Sequence, residues 1–158
     1  MKRHIFFLLA LALSAGLAEC QQLTIQIGAE KPVVLTLADL EALPHSKVSA
    51  DKPSEPVTYE GVTLKSVLER AGVQFGESLR GKRMASYLLV EATDGYRVVI
   101  ALPEIDPAFT DKQIVLAFLR NGKALDEKEG PYRIVIPDEK RMARWVRQVT
   151  TLKIVDAQ

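Results

Sequence analysis

Residues 86–102 read SYLLVEATDGYRVVIAL, two runs rich in β-branched, aromatic and leucine side chains on either side of Asp94 and Gly95. Such runs favour strands and an Asp-Gly pair suits the positive φ of a tight turn, so the stretch predicts a β-hairpin. Strand signals continue outward on both sides. Towards the N-terminus, residues 23–27 alternate, a turn follows at 28–30, and residues 33–37 complete a second hairpin. Towards the C-terminus, residues 113–119 run into a turn at Asn121 and Gly122, residues 132–136 lie between Gly130-Pro131 and Pro137, and residues 145–155 mostly alternate. All three are expected to be extended. Helical signals are fewer. Thr36 followed by Asp39 forms a capping-box pattern, opening a short helix through Ala38, Leu40 and Leu43 that Pro44 ends. Thr63 caps a second helix, in which Leu64, Val67, Leu68 and Ala71 recur at helical spacing before Gly72. Residues 45–56 are polar, contain two prolines and are expected to form a surface loop. Two short, separated helices among many strands predict an α+β fold with a mixed, β-rich core, not a doubly wound parallel sheet.

Composition sets the outer limits. The chain has 158 residues, enough for one domain, and 21 basic against 20 acidic side chains. That balance provides no electrostatic case for nucleic acid. Lys2, Arg3 and His4 precede an apolar run over residues 5–13 and the small residues Ser14, Ala15 and Gly16, the pattern of a secretory signal peptide. The expected organisation is a signal peptide over 1–20 and a single domain over 21–158, with the protein periplasmic or secreted. Cleavage after Cys20 places Ala18 and Cys20 at the small-residue positions, and cleavage after Ala18 competes with it. Lipid anchoring at Cys20 is disfavoured by the bulk and charge of Glu19. Cys20 is the sole cysteine, so no disulfide is expected.

Several chemistries are excluded by inventory. A hydrolytic triad needs a histidine base, and beyond the leader only His45 remains, which is read as a solvated loop residue. One histidine without cysteine cannot build a zinc site, and none of the nine glycines forms a phosphate-cradling motif. Asp126, Glu127 and Glu129 follow a turn and are read as a solvated face. Glu104 and Asp106, beside Pro103 and Pro107, are read as turn-stabilising. The richest stretch is 130–147, where Arg133 begins a strand and Lys140, Arg141, Arg144 and Arg147 surround Trp145. Guanidinium groups beside an indole suit a flat, electron-rich or anionic ligand, through bidentate hydrogen bonds and stacking. The alternative, Trp145 as a core residue with basic neighbours facing water, stands equally open at this point.

Four stretches in register resemble a known family. Tyr59 to Leu64, continuing through Val67, Leu68 and Ala71-Gly72-Val73, is similar to the opening motif of the sulfite oxidase type molybdopterin-binding domain. Residues 92–96, the Val115-Leu116-Ala117…Asn121-Gly122…Leu125 stretch, and Gly130, Pro131, Arg133, Val135, Pro137 with Arg144-Trp145-Val146 resemble three further motifs, in the same order. The resemblance implies the β-rich sulfite oxidase fold and a pocket for pterin or molybdopterin. It departs at one position: catalytic members carry a molybdenum-binding cysteine just ahead of the first motif, where residues 47–58 here hold none. Ser46, Ser49 and Ser54 are hard, high-pKa substitutes for a thiolate. The resemblance therefore implies the organic half of the cofactor without molybdenum, no catalytic residue and no metal ligand. It also implies kinship with small exported proteins that bind reduced pterins and report to membrane-bound signalling enzymes of cyclic dinucleotide metabolism. The expected ligand contacts are Asp94, Tyr96, Arg133, Arg141, Arg144 and Trp145. The competing readings are a periplasmic molybdopterin-dependent oxidoreductase lacking the usual cysteine ligand and a structural domain that has lost its ligand.

Overall fold

The computed structural model describes residues 21–51, 56–137 and 139–156. The leader, Cys20 and Ser54 lie outside them. Among the described residues, ten strands form two sheets that, with two short α-helices, share one hydrophobic core.

The first sheet begins with β1 (Gln22–Ile27) and β2 (Val33–Thr36), paired antiparallel as the N-terminal alternation predicts. The opening stretch forms β5 (Tyr87–Ala92) and β6 (Arg97–Ala101), also antiparallel. Their turn uses positive φ only at Gly95 (82°), and the Ala92 N–H donates to the Tyr96 carbonyl, so the connection spans three residues with glycine last. β10 (Val149–Val155) lies between the two hairpins, parallel to β1 and antiparallel to β5, giving the order β2-β1-β10-β5-β6. The extended run expected over 145–155 is therefore shorter. Trp145 closes a 3-10 turn, Met142–Arg144, and Gln148 adopts φ +51° before the strand starts.

The second sheet runs β3 (His45–Asp51), β4 (Pro56–Thr63), β7 (Val115–Arg120) and β8 (Lys123–Ala124), with β9 (Arg133–Val135) also paired to β7. Residues 45–51 are a strand, which corrects the loop expected there. β3 is an edge strand, so it pairs with β4 alone and buries one row of side chains, Val48 and Ala50, while Lys47 and Ser49 face water. A strand with so small an apolar row has the composition of a loop. β7 is the opposite case: Val115 to Phe118 are buried in succession because both of its faces are covered.

Two local features tie the sheets to their helices. Thr36 accepts from Asp39 N while Asp39 accepts from Thr36 N, the predicted capping box of α1 (Leu37–Glu41). Thr63 ends β4 and caps α2 (Leu64–Arg70), whose Leu64, Val67 and Leu68 enter the core. Gly61 sits where β4 shifts register against β7. A Cβ there would lie 2.0 Å from the Leu116 carbonyl oxygen, so only glycine permits this approach.

Candidate functional site

A cleft of about 790 Å³ opens between the Asp94–Tyr96 turn, residues 127–133 and residues 142–148. Three kinds of local structure bring its walls together. The β5–β6 turn projects Asp94 and Tyr96, with Asp94 Oδ1 accepting from Tyr96 N at 2.9 Å. β9, paired to β7, holds Arg133 opposite Ala117, its side chain buried. The irregular segment after the 3-10 turn supplies Trp145 and Arg147.

Arg133 organises the floor. Its side chain is 7% exposed, and Nη1 lies 2.5 Å from Glu129 Oε1. The guanidinium carbon is 5.2 Å from the Tyr59 ring centroid and 5.6 Å from that of Trp145. The two rings meet edge to face, 6.0 Å apart at 85°, so the cation rests against two π surfaces. Trp145 is 5% exposed and its Nε1 donates to the Ile136 carbonyl at 2.9 Å. Three polar atoms of this cluster are buried without a hydrogen-bond partner among the described residues: Arg133 Nε, Glu129 Oε2 and the Tyr59 hydroxyl. Burial pushes the Tyr59 hydroxyl pKa up, against the opposing charge of Arg133, so the phenol stays a neutral donor and acceptor. Unpaired buried groups carry a desolvation cost, about 1–3 kcal/mol each, that a ligand with matching donors and acceptors removes.

Of the six residues expected to contact a ligand, Asp94, Tyr96, Arg133 and Trp145 line this one cleft, and Arg141 and Arg144 are not among its lining residues. Arg141 is exposed. Arg144 faces Glu104 at 3.2 and 3.4 Å and Glu139 through Nε at 2.7 Å, and these carboxylates raise its pKa. Its guanidinium is thus committed to protein acids. Glu129, read from sequence as part of a solvated face, is instead largely buried, because Arg133 and Arg120 draw its carboxylate inward. The available signal was its position four residues before Arg133. Glu104 and Asp106 do stabilise turns: Glu104 accepts from Ala101 N, and Asp106 is buried and accepts from Gly76 N and Ala108 N. His45 lies on β3, not in a loop, between Glu60 at 3.1 Å and the Glu41 carbonyl at 3.2 Å.

The donor set fits a pterin. Its amino and ring N–H groups match a carboxylate oxygen, its carbonyl matches a guanidinium N–H, and its ring matches an aromatic face. It does not fit a soft metal: among the described residues there is no thiolate, and no three His, Cys, Asp or Glu side chains converge.

The crystal structure of the sulfane dehydrogenase SoxCD from Paracoccus pantotrophus matches 87% of the chain with a TM-score of 0.66 at 24% identity, a likeness of fold. The chain spans only 38% of the length of that protein chain. Among curated proteins nothing matches. The family model described as the oxidoreductase molybdopterin binding domain matches residues 52–158, which hold both strands of the second sheet's centre and every wall of the cleft. The fold is thus the sulfite-oxidase-like molybdopterin-binding fold, and the chain belongs to the oxidoreductase molybdopterin-binding domain family.

Proposed function

We propose that this protein is an exported, non-catalytic pterin-binding module that takes the organic half of the family cofactor in the cleft and reports its occupancy to a membrane-bound signalling enzyme of cyclic dinucleotide metabolism. The observation that carries the binding step is the Arg133–Glu129–Tyr59 cluster, of which Arg133 and Glu129 line the cleft and Tyr59 is buried behind them, with three buried atoms that have no hydrogen-bond partner among the described residues. On this reading the Glu129 carboxylate accepts from the ligand's amino or ring N–H groups and the Arg133 guanidinium donates to its carbonyl, both residues lining the cleft. Tyr96, 48% exposed at the rim, offers a stacking face. Trp145 braces Arg133 and is not itself a free donor, since its N–H is already used. A bound molybdenum would add redox chemistry, but the described residues provide no thiolate to hold it. Export is supported by the basic start and apolar run of the leader, and the signalling partner by the likeness to small exported pterin binders noted above.

Protein taken from the exported fraction of its natural host tests this reading. It is expected to begin at Gln21, to carry no stoichiometric molybdenum, and to bind a reduced pterin in calorimetric titration. Glu129→Gln, with folding checked by circular dichroism, is expected to weaken binding about ten- to a hundredfold, the value of one charged hydrogen bond. A metal to protein ratio near one, with oxidoreductase turnover, overturns the proposal in favour of the enzyme.

A further inference from the structure

We propose that residues 140–148 form a strap latched across the mouth of the cleft, with the Tyr96 hydroxyl as its crossbar and Arg144 as its outer clamp, so that ligand enters when the latch opens. This inference rests on the pterin-binding reading and concerns how that site is regulated.

The two halves of the strap are held differently. The second half is built into the fold: Trp145 Nε1 donates to the Ile136 carbonyl, Ile134 N to the Val146 carbonyl, and Gln148 N to the Glu129 carbonyl. The first half is not. Lys140, Arg141, Met142 and Ala143 are exposed, and among the described residues no backbone hydrogen bond joins 140–144 to another element. Two side-chain ties take that role. The Tyr96 hydroxyl crosses from the opposite lip and donates to the Ala143 carbonyl at 2.7 Å. Arg144 grips Glu104 at 3.2 and 3.4 Å, and Glu139 just ahead of the strap. Tyr96 immediately precedes β6 and Glu104 lies in the turn that follows it, so the strap is clamped to both ends of one strand. Each tie is a partly exposed polar contact of modest strength, the kind that opens locally while the core stays folded. Arg144 is on this account a positioning residue: it touches no ligand and acts through the wall that carries Trp145 and Arg147.

Trp145 is the only tryptophan of the chain and lines the cleft, so its emission reports access through the mouth without any ligand. Tyr96→Phe keeps the ring and removes the crossbar, and Glu104→Gln weakens the clamp. In Tyr96→Phe, quenching of Trp145 emission by acrylamide is expected to rise about fivefold, the population change that one net hydrogen bond controls. A smaller rise is expected in Glu104→Gln. With 7,8-dihydrobiopterin in stopped flow, the association and dissociation rate constants are both expected to increase in Tyr96→Phe. Loss of a ligand contact would speed dissociation alone, so the faster association is the signature of the latch. Unchanged quenching and unchanged association in folded variants overturn it. If the native protein binds no pterin, the pterin-binding reading fails, while the quenching comparison still decides the strap.

Discussion

Arg133 and Arg144 bear the same guanidinium on one short stretch of chain, and their surroundings assign them different tasks. Arg133 is surrounded by Glu129, Tyr59 and Trp145 and almost cut off from water. Truncating it leaves the Glu129 carboxylate buried and short of its main partner, the costly way to break an internal pair. Arg133→Ala is accordingly expected to destabilise the fold by about 3–5 kcal/mol. Arg144 keeps 29% of its side chain in solvent, where ion pairs are screened, and Arg144→Ala is expected to cost about 1 kcal/mol or less. Chemical denaturation measures both, and a shift in midpoint at constant slope identifies each as a stability effect. Nothing in the neighbouring letters separates the two arginines: each has an aromatic residue next to it, Tyr132 for Arg133 and Trp145 for Arg144. What separates them is the acid each one faces. Arg133 faces Glu129, four residues away and largely buried, whereas Arg144 faces Glu139, five residues away, and Glu104, forty residues away in the turn after β6, both more open to water than the Arg133 pair.

At the scale of elements, caps and turns behave as their sequences predict. Thr36 with Asp39, Thr63 with Ser66 N, Gly95, and the Asn121-Gly122 pair at φ 49° and 75° all adopt the local geometry their side chains favour. Strand pairing is less local. β3 is the strand that sequence patterning hides, because an edge strand needs only one buried row and Val48 and Ala50 provide it. Gly61 likewise has ordinary φ, and its role is visible only once β7 lies beside it. Since a methyl group there would overlap the Leu116 carbonyl, Gly61→Ala is expected to destabilise by about 3 kcal/mol or more, through forced separation of β4 and β7. A fall in thermal midpoint much larger than that of a control Gly28→Ala, where no atom lies within 4 Å but φ is positive, checks the assignment to steric contact and not to backbone strain.

For the whole molecule, several carboxylates share one sign of pH dependence. Burial disfavours ionised Glu104, but the Arg144 hydrogen bonds and charge, aided by Lys112, outweigh it and hold the carboxyl below its ordinary value of 4.5. The hydrogen bonds from Thr36 lower Asp39, and those from His45 and Lys47 lower Glu60. A carboxyl whose folded pKa is lowered adds stability above its unfolded pKa and loses it as pH falls through the folded value. Thermal unfolding is expected to show these contributions intact above about pH 5 and declining below it, with a shallower decline in Glu104→Gln. Rising stability on acidification from pH 5 to 3 would contradict this sign. By itself the sequence determined the α+β class, both helices with their caps, most of the strands and the family, because these depend on periodicity, turn chemistry and motif order along the chain. Only the tertiary structure decided that 45–51 is a strand, that Glu129 turns inward, that Arg133 lines the cleft while Arg144 pairs with Glu104 and Glu139 outside its lining, and that Tyr59 packs on Arg133. Those outcomes depend on burial and charge partners brought together from distant positions, such as Tyr59 beside Arg133 and Tyr96 over Ala143, and no local pattern encodes a contact of that kind.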